Sequence, residues 1–103
     1  MAERIFQGIE LLPETMPVKQ LFILLHGVGA RSSDLLPLAN KLRDAFPSSA
    51  FLLPDGTHLF DGAGNGRRQW FSISEVTEES RVSRVAKAIP ALHALVRHAQ
   101  DHF

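Results

Sequence analysis

The sequence predicts an α/β domain, and three observations carry that expectation. An apolar run, "LFILL" (Leu21 to Leu25), is too short and too uniformly apolar for an amphipathic helix. An amphipathic segment follows it, and a second apolar run, "AFLLPDG" (Ala50 to Gly56), follows that. Strand, helix, strand in this order predicts a parallel pair joined by a right-handed crossover. The 103 residues suffice for one domain with a real core, and 1–103 reads as a single unit without linker, repeat or low-complexity segment.

Taken in order, Ile5, Phe6, Ile9 and Leu11 suggest a first extended segment, broken near Gly8 and closed by Pro13 and Pro17. Leu21 to Leu25 reads as a strand buried on both faces. The turn "HGVG" follows, and Ser32 or Ser33 is placed to cap a helix, with Asp34 in its first turn. Leu35, Leu38, Ala39, Leu42 and Phe46 recur at helical spacing until Pro47 stops them. After the second strand, "THLFDGAGNGRRQW" reads as a long loop with Gly62, Gly64 and Gly66 on alternate positions. Loops of that length inside a compact domain are functional or mobile. From Thr77, an expected N-cap followed by Glu78 and Glu79, the pattern is helical again. Val82, Val85, Ile89, Leu92, Val96, Ala99 and Phe103 alternate by three and four, which suits a coiled-coil seam or a helix covering a sheet. Pro90 inside the run favours the sheet-covering helix.

Composition removes several functional classes. Hydrophobic residues make up 45% of the chain, which excludes general disorder. Eleven basic and eleven acidic residues cancel, so no global field favours nucleic acid or an anionic membrane. The pair Arg67-Arg68 reads as a solvated cluster. Without cysteine there are no disulfides, thiolate zinc sites or cysteine nucleophile. The N-terminus lacks a continuous apolar signal region, and no apolar run is long enough to span a bilayer. The expectation is a cytoplasmic protein with neither nucleic acid nor membrane as partner, and with no cofactor.

The glycine pair Gly27 and Gly29, directly after a strand, has two readings. It is a tight strand-to-helix turn, or it lets backbone N–H groups face an anion at the start of a helix. "GVGARS" lacks the third glycine of a dinucleotide fingerprint and the lysine of a P-loop, which leaves a transient oxyanion as the anion to consider. His98 and His102 lie four apart, but "HAQDH" lacks the glutamate of a metalloprotease helix, so they read as a solvated face and no metal is expected.

"LFILLHGVG", "LLPDG", "GRRQWFSI" and "TEESRVSRV" resemble, in order and spacing, the N-terminal half of the phospholipase/carboxylesterase family. These are α/β-hydrolase serine esterases related to the acyl-protein thioesterases. The resemblance implies the N-terminal part of an α/β-hydrolase fold: a mostly parallel sheet flanked by helices, incomplete without the nucleophile-bearing C-terminal half. It implies hydrolysis of small esters or thioesters through an acyl-enzyme. Val28, following His-Gly, is implied as a backbone oxyanion-hole donor, with Gly27 and Gly29 around the substrate. His26 is implied as a turn-bracing side chain, and Trp70 and Phe71 as acyl-pocket residues; the two aromatics also suit plain loop packing.

The family's Gly-x-Ser-x-Gly elbow is absent, because none of Ser32, Ser33, Ser48, Ser49, Ser72, Ser74, Ser80 or Ser83 has the flanking glycines. The triad acid and histidine, which follow later in the family, are not matched either. The expectation is a chain inactive alone, ending at Phe103 before the nucleophile strand. The open edge of the Leu21 to Leu25 strand would be covered by a complementary C-terminal half or a second copy. The alternative is a non-catalytic Rossmann-like binding module, or a subunit of a split hydrolase.

Overall fold

The computed structural model describes residues 6–62 and 66–103. Ile5 and Gly64, singled out in the sequence, lie outside the described residues. Strands β1 (Gly8–Leu11), β2 (Gln20–Ile23) and β3 (Ser49–Pro54) form a sheet of order β1-β3-β2. Helix α1 (Leu36–Ala45) connects β2 to β3, which are parallel, whereas β1 runs antiparallel to β3. Helix α2 (Glu78–His102) follows the hairpin described below.

The most buried strand is β3, not β2. Every residue of β3 is buried because it has a paired neighbour on each side and a helix against each face. Alternation divides its side chains between two cores. Phe51 and Leu53 pack with Ala39 of α1, Ile9, Leu11, Phe22 and Leu24. Leu52 packs on the opposite face with Leu95 and Ala99 of α2, Leu21 and Ile23. The register sets Phe22 opposite Phe51, and their rings stack with centroids 5.0 Å apart.

β2 is half-buried, and its ladder ends at Ile23 instead of reaching Leu25. Leu24 still donates its N–H to Leu52 O at 2.9 Å, after which the chain turns away and Leu25 is exposed. Among the described residues β2 pairs only with β3, so it is an edge. An apolar run marks a strand that is buried somewhere; it does not say whether the second neighbour lies within the same segment.

The start of the first helix also differs from expectation. Arg31 is the cap, and a 3₁₀ turn at Ser32–Leu35 precedes α1. Asp34 reaches back to accept the Arg31 N–H at 3.1 Å. Pro37 then sits in the first turn of α1, where its missing N–H costs nothing. Leu36, not Leu38, joins the core face. The helix ends at Phe46 before Pro47, as the sequence suggests.

At the start of α2, Thr77 caps as expected, accepting the Ser80 N–H at 3.1 Å while Ser80 Oγ accepts the Thr77 N–H at 2.8 Å. The helix continues through Pro90. Only its C-terminal half covers the sheet, through Leu92, Leu95 and Ala99. Val82 and Ile89 remain 72% and 54% exposed, so the stripe read as one covering face is split in two. No helix among the described residues is long and apolar enough to cross a membrane.

These burial differences set the expected stabilities. Phe51→Ala should cost about 3–5 kcal/mol, the usual loss for a large buried aromatic. Val82→Ala should change stability by no more than about 0.5 kcal/mol, as at most exposed positions. Chemical denaturation midpoints at constant m-value check both.

Candidate functional site

Beyond β3 the chain forms a short hairpin, where the sequence suggests a loop. β4 (His58–Leu59) pairs antiparallel with β5 (Arg68–Gln69), and Arg68 also bridges Ala30. The hairpin brings residues 68–70 against the turn that follows β2. Gly29 donates its N–H to Arg68 O at 2.9 Å, and Arg68 N–H returns a bond to Ala30 O at 2.9 Å.

His26 is the pivot. It is only 3% exposed, and its Nε2 accepts the Gly56 N–H at 2.8 Å. That acceptor role puts the proton on Nδ1, which donates to Gly27 O at 2.7 Å. Both ring nitrogens are thereby committed, and the imidazole braces the turn instead of offering a free base. Trp70 Nε1 donates to His26 O at 2.9 Å, and the two rings lie 5.2 Å apart. Ser32 N–H donates to Asp55 Oδ1 at 2.9 Å, closing the far side of the turn.

Gly56 allows the pivot to exist. A Cβ there would collide with the Gln69 carbonyl oxygen, so a side chain would separate β3's end from the hairpin. Gln69 is itself buried, and its Oε1 accepts the Asp61 N–H at 3.3 Å. Gly29 has φ +75°, and an added Cβ would also press on the Phe60 ring at 3.2 Å. A Cβ on Gly27 would meet nothing within 4 Å.

The bonds around the turn consume two of its donors. Gly29 N–H goes to Arg68 and Ala30 N–H to Gly27 O at 3.2 Å. Among the described residues, the N–H groups of Gly27 and Val28 have no protein acceptor. Val28 is 57% exposed. Both residues line a cavity of about 360 Å³ together with His26, Trp70, Phe71, Ile73, Val76 and Arg81. Thus Gly27, Val28, Trp70 and Phe71, named from sequence, share one cavity. Gly29 does not line it and acts in the turn behind.

Asp61 orders the outer wall. Its carboxylate accepts the Ser72 hydroxyl at 2.7 Å and the N–H groups of Ile73 and Ser74 at 2.9 and 3.1 Å. The Ser72 hydroxyl first, then the Gln69 side chain and the Ile73 N–H, hold this carboxyl below the ordinary carboxylate value. Asp61, Gln69 and Gly56 were missed in the sequence. The only signal was their setting, a turn after β3 and a polar loop, and neither indicates that the two pieces touch. His98 and His102 stack at 6.1 Å, and His102 Nε2 lies 3.6 Å from Glu10 Oε1. Among the described residues no group of three or more potential ligands is placed to hold a metal.

A mixed sheet with helices on both faces and a donor turn at a strand's C-terminal end defines part of an α/β-hydrolase fold. The comparisons agree. The crystal structure of esterase PE8 superposes with a TM-score of 0.83 at 27% identity, over 94% of this chain and 46% of that one. The phospholipase/carboxylesterase family model matches residues 8–102, and the chain belongs to that family. Esterase YpfH of Escherichia coli (strain K12) is 33% identical over 85 residues, 82% of this chain. The chain spans 35% of YpfH's length and less than half of the PE8 chain.

Two outcomes test this geometry. Gly56→Ala should destabilise the chain by about 1–3 kcal/mol or more, the usual cost of overpacking, whereas Gly27→Ala should be nearly neutral; thermal melts separate them. Asp61 has a lowered folded pKa, so the order it lends residues 72–74 is fully present above its unfolded value. That order is lost as pH falls through the lowered folded value. The amide resonances of Ile73 and Ser74 should titrate together there, and Asp61→Asn should abolish that step.

Proposed function

We propose that this chain is the N-terminal part of a serine carboxylesterase acting on small carboxylic esters or thioesters. The observation that carries the reading is the N–H of the exposed residue Val28, which has no acceptor among the described residues. It is held by a turn in which the Gly29 and Ala30 N–H groups are satisfied and those of Gly27 and Val28 are not, and it borders a largely apolar cavity in a chain of this family. In this reading a serine from the C-terminal half attacks the substrate carbonyl while a histidine takes its proton. The carbonyl oxygen becomes an oxyanion that accepts the Val28 N–H and a second donor following the nucleophile. Collapse expels the alcohol or thiol with the returned proton, and water then releases the acid from the acyl-serine. Trp70 and Phe71 wall the acyl group, and the Gly27 backbone borders it.

The Gly-x-Ser-x-Gly motif is absent from the sequence, so the 103-residue chain should not turn over p-nitrophenyl acetate above a heat-treated control. Saturable turnover abolished by a serine-directed phosphonate would overturn this. The chain should also self-associate, or bind the complementary C-terminal half, through the free edge of β2. A monodisperse, cooperatively unfolding monomer at high micromolar concentration would refute that.

The decisive test is at position 28 in the complete hydrolase. Val28→Ala keeps the N–H and should retain most of kcat. Val28→Pro removes it and should lower kcat by roughly 10²–10³, the usual loss for one oxyanion donor. KM should move less, because the donor engages the transition state more than the ground state. Matched melting temperatures and equal labelling by a serine-directed probe make the comparison valid. Near-normal kcat in a folded, probe-reactive Val28→Pro enzyme would refute the assignment.

A further inference from the structure

Building on the esterase reading, we infer that Arg81 selects substrates whose acyl chain ends in a carboxylate. The cavity beneath Val28 is walled by Trp70, Phe71, Ile73 and Val76, and His26 has both ring nitrogens occupied. Arg81 supplies the remaining ionisable side chain.

What separates Arg81 from nearby arginines is that its guanidinium is unspent. Arg68 Nε donates to Gly56 O at 2.8 Å, and Arg84 Nη1 donates to Ser72 O at 2.6 Å. Among the described residues the Arg81 guanidinium makes no hydrogen bond, ion pair or ring contact. Nor does its position help the helix. Arg81 lies near the N-terminus of α2, where the dipole disfavours a cation and favours an anion. Glu78 and Glu79 occupy the first turn, yet neither lines this cavity. The adjoining cavity, behind Trp70 and Phe71, is bordered by Arg84 and Lys87, and among the described residues no carboxylate lines it. Arg81, Arg84 and Lys87 thus stand around an apolar slot whose outer wall also carries the Asp61 carboxylate. Arg81 alone of the three cations lines the slot itself, so an anionic group entering it is drawn to the Arg81 end.

The match is to a carboxylate, whose two oxygens fit the guanidinium fork. A water occupies about 30 Å³ of liquid, so a cavity of about 360 Å³ has room for roughly a dozen heavy atoms. A short dicarboxylic half-ester fits that space, with its ester carbonyl at Val28 and its free carboxylate at Arg81.

The test uses the complete hydrolase with monoethyl glutarate and ethyl valerate, which have acyl chains of equal carbon count, followed by acid release. In Arg81→Gln the ratio of kcat/KM for the anionic ester to that for the neutral one should fall at least tenfold. Arg81→Lys should restore part of it, and added salt should lower it in the wild type. An unmoved ratio in a folded Arg81→Gln enzyme overturns the inference. Failure of the wild type to hydrolyse either ester would instead overturn the esterase reading. A binding arm in the same complete hydrolase then decides the inference separately. Isothermal titration calorimetry should report monoethyl glutarate binding at least tenfold tighter than diethyl glutarate, with the preference lost in Arg81→Gln. Equal dissociation constants for the two would overturn it.

Discussion

The hydrogen bond from the Gly56 N–H to His26 Nε2 is the constraint on which the site depends. It joins the chain leaving β2 to the chain leaving β3, two parallel strands whose C-terminal ends would otherwise diverge into independent loops. The contact fixes the imidazole tautomer, which makes Nδ1 a donor and ties Gly27 O in place. With that carbonyl held, the Ala30 N–H closes the turn upon it, and the hairpin occupies the Gly29 N–H. What remains is a loop braced at several points, in which the N–H groups of Gly27 and Val28 have no acceptor among the described residues. A donor that had to choose between an internal acceptor and a substrate oxygen would be a poorer one, because reorganisation would accompany each binding event.

The bracing extends outward through groups that are individually modest. Trp70 ties its indole to His26 O, so the residue that walls the cavity also holds the turn that borders it. Its neighbour Phe71 is followed by Ser72, which Asp61 and Arg84 both engage. The segment between β5 and α2 thus has little regular structure and yet is bound at successive points. Side-chain and backbone hydrogen bonds here replace the ladder that orders the sheet.

The legible parts of the sequence were those governed by local patterning. The strand–helix–strand unit, the parallel pairing of β2 and β3, the Thr77 cap and the stop at Pro47 all follow from nearby residues. The less legible parts depended on distant neighbours. β3 and β2 are both apolar, and only the strand order reveals which is central. Along α2, the three-four stripe correctly marks a helix but not its orientation, because Leu95 lies outside the stripe and is buried while Val82 belongs to it and is exposed. At the site, His26, Trp70 and the glycines drew notice through their motifs. Gly56 and Gln69 did not, since their role is a close approach between segments, which no spacing encodes.

The same strand that leads into the donor turn has an unpaired outer edge among the described residues. In the proposed hydrolase these two facts are linked. A strand added beside β2 would run along the chain whose C-terminal end presents Val28, and a turn at the end of the added strand would lie next to that N–H. Completing the sheet and completing the catalytic site would then be one event, with backbone pairing setting the height of the nucleophile relative to the oxyanion donor. This register is governed by strand pairing, where a slip of one residue reverses every side chain, and so it is held far more tightly than a loop could hold it. In that hydrolase the oxyanion donor would gain its accuracy from belonging to the main chain of a strand's own extension, which the His26–Gly56 bond ties to the end of β3.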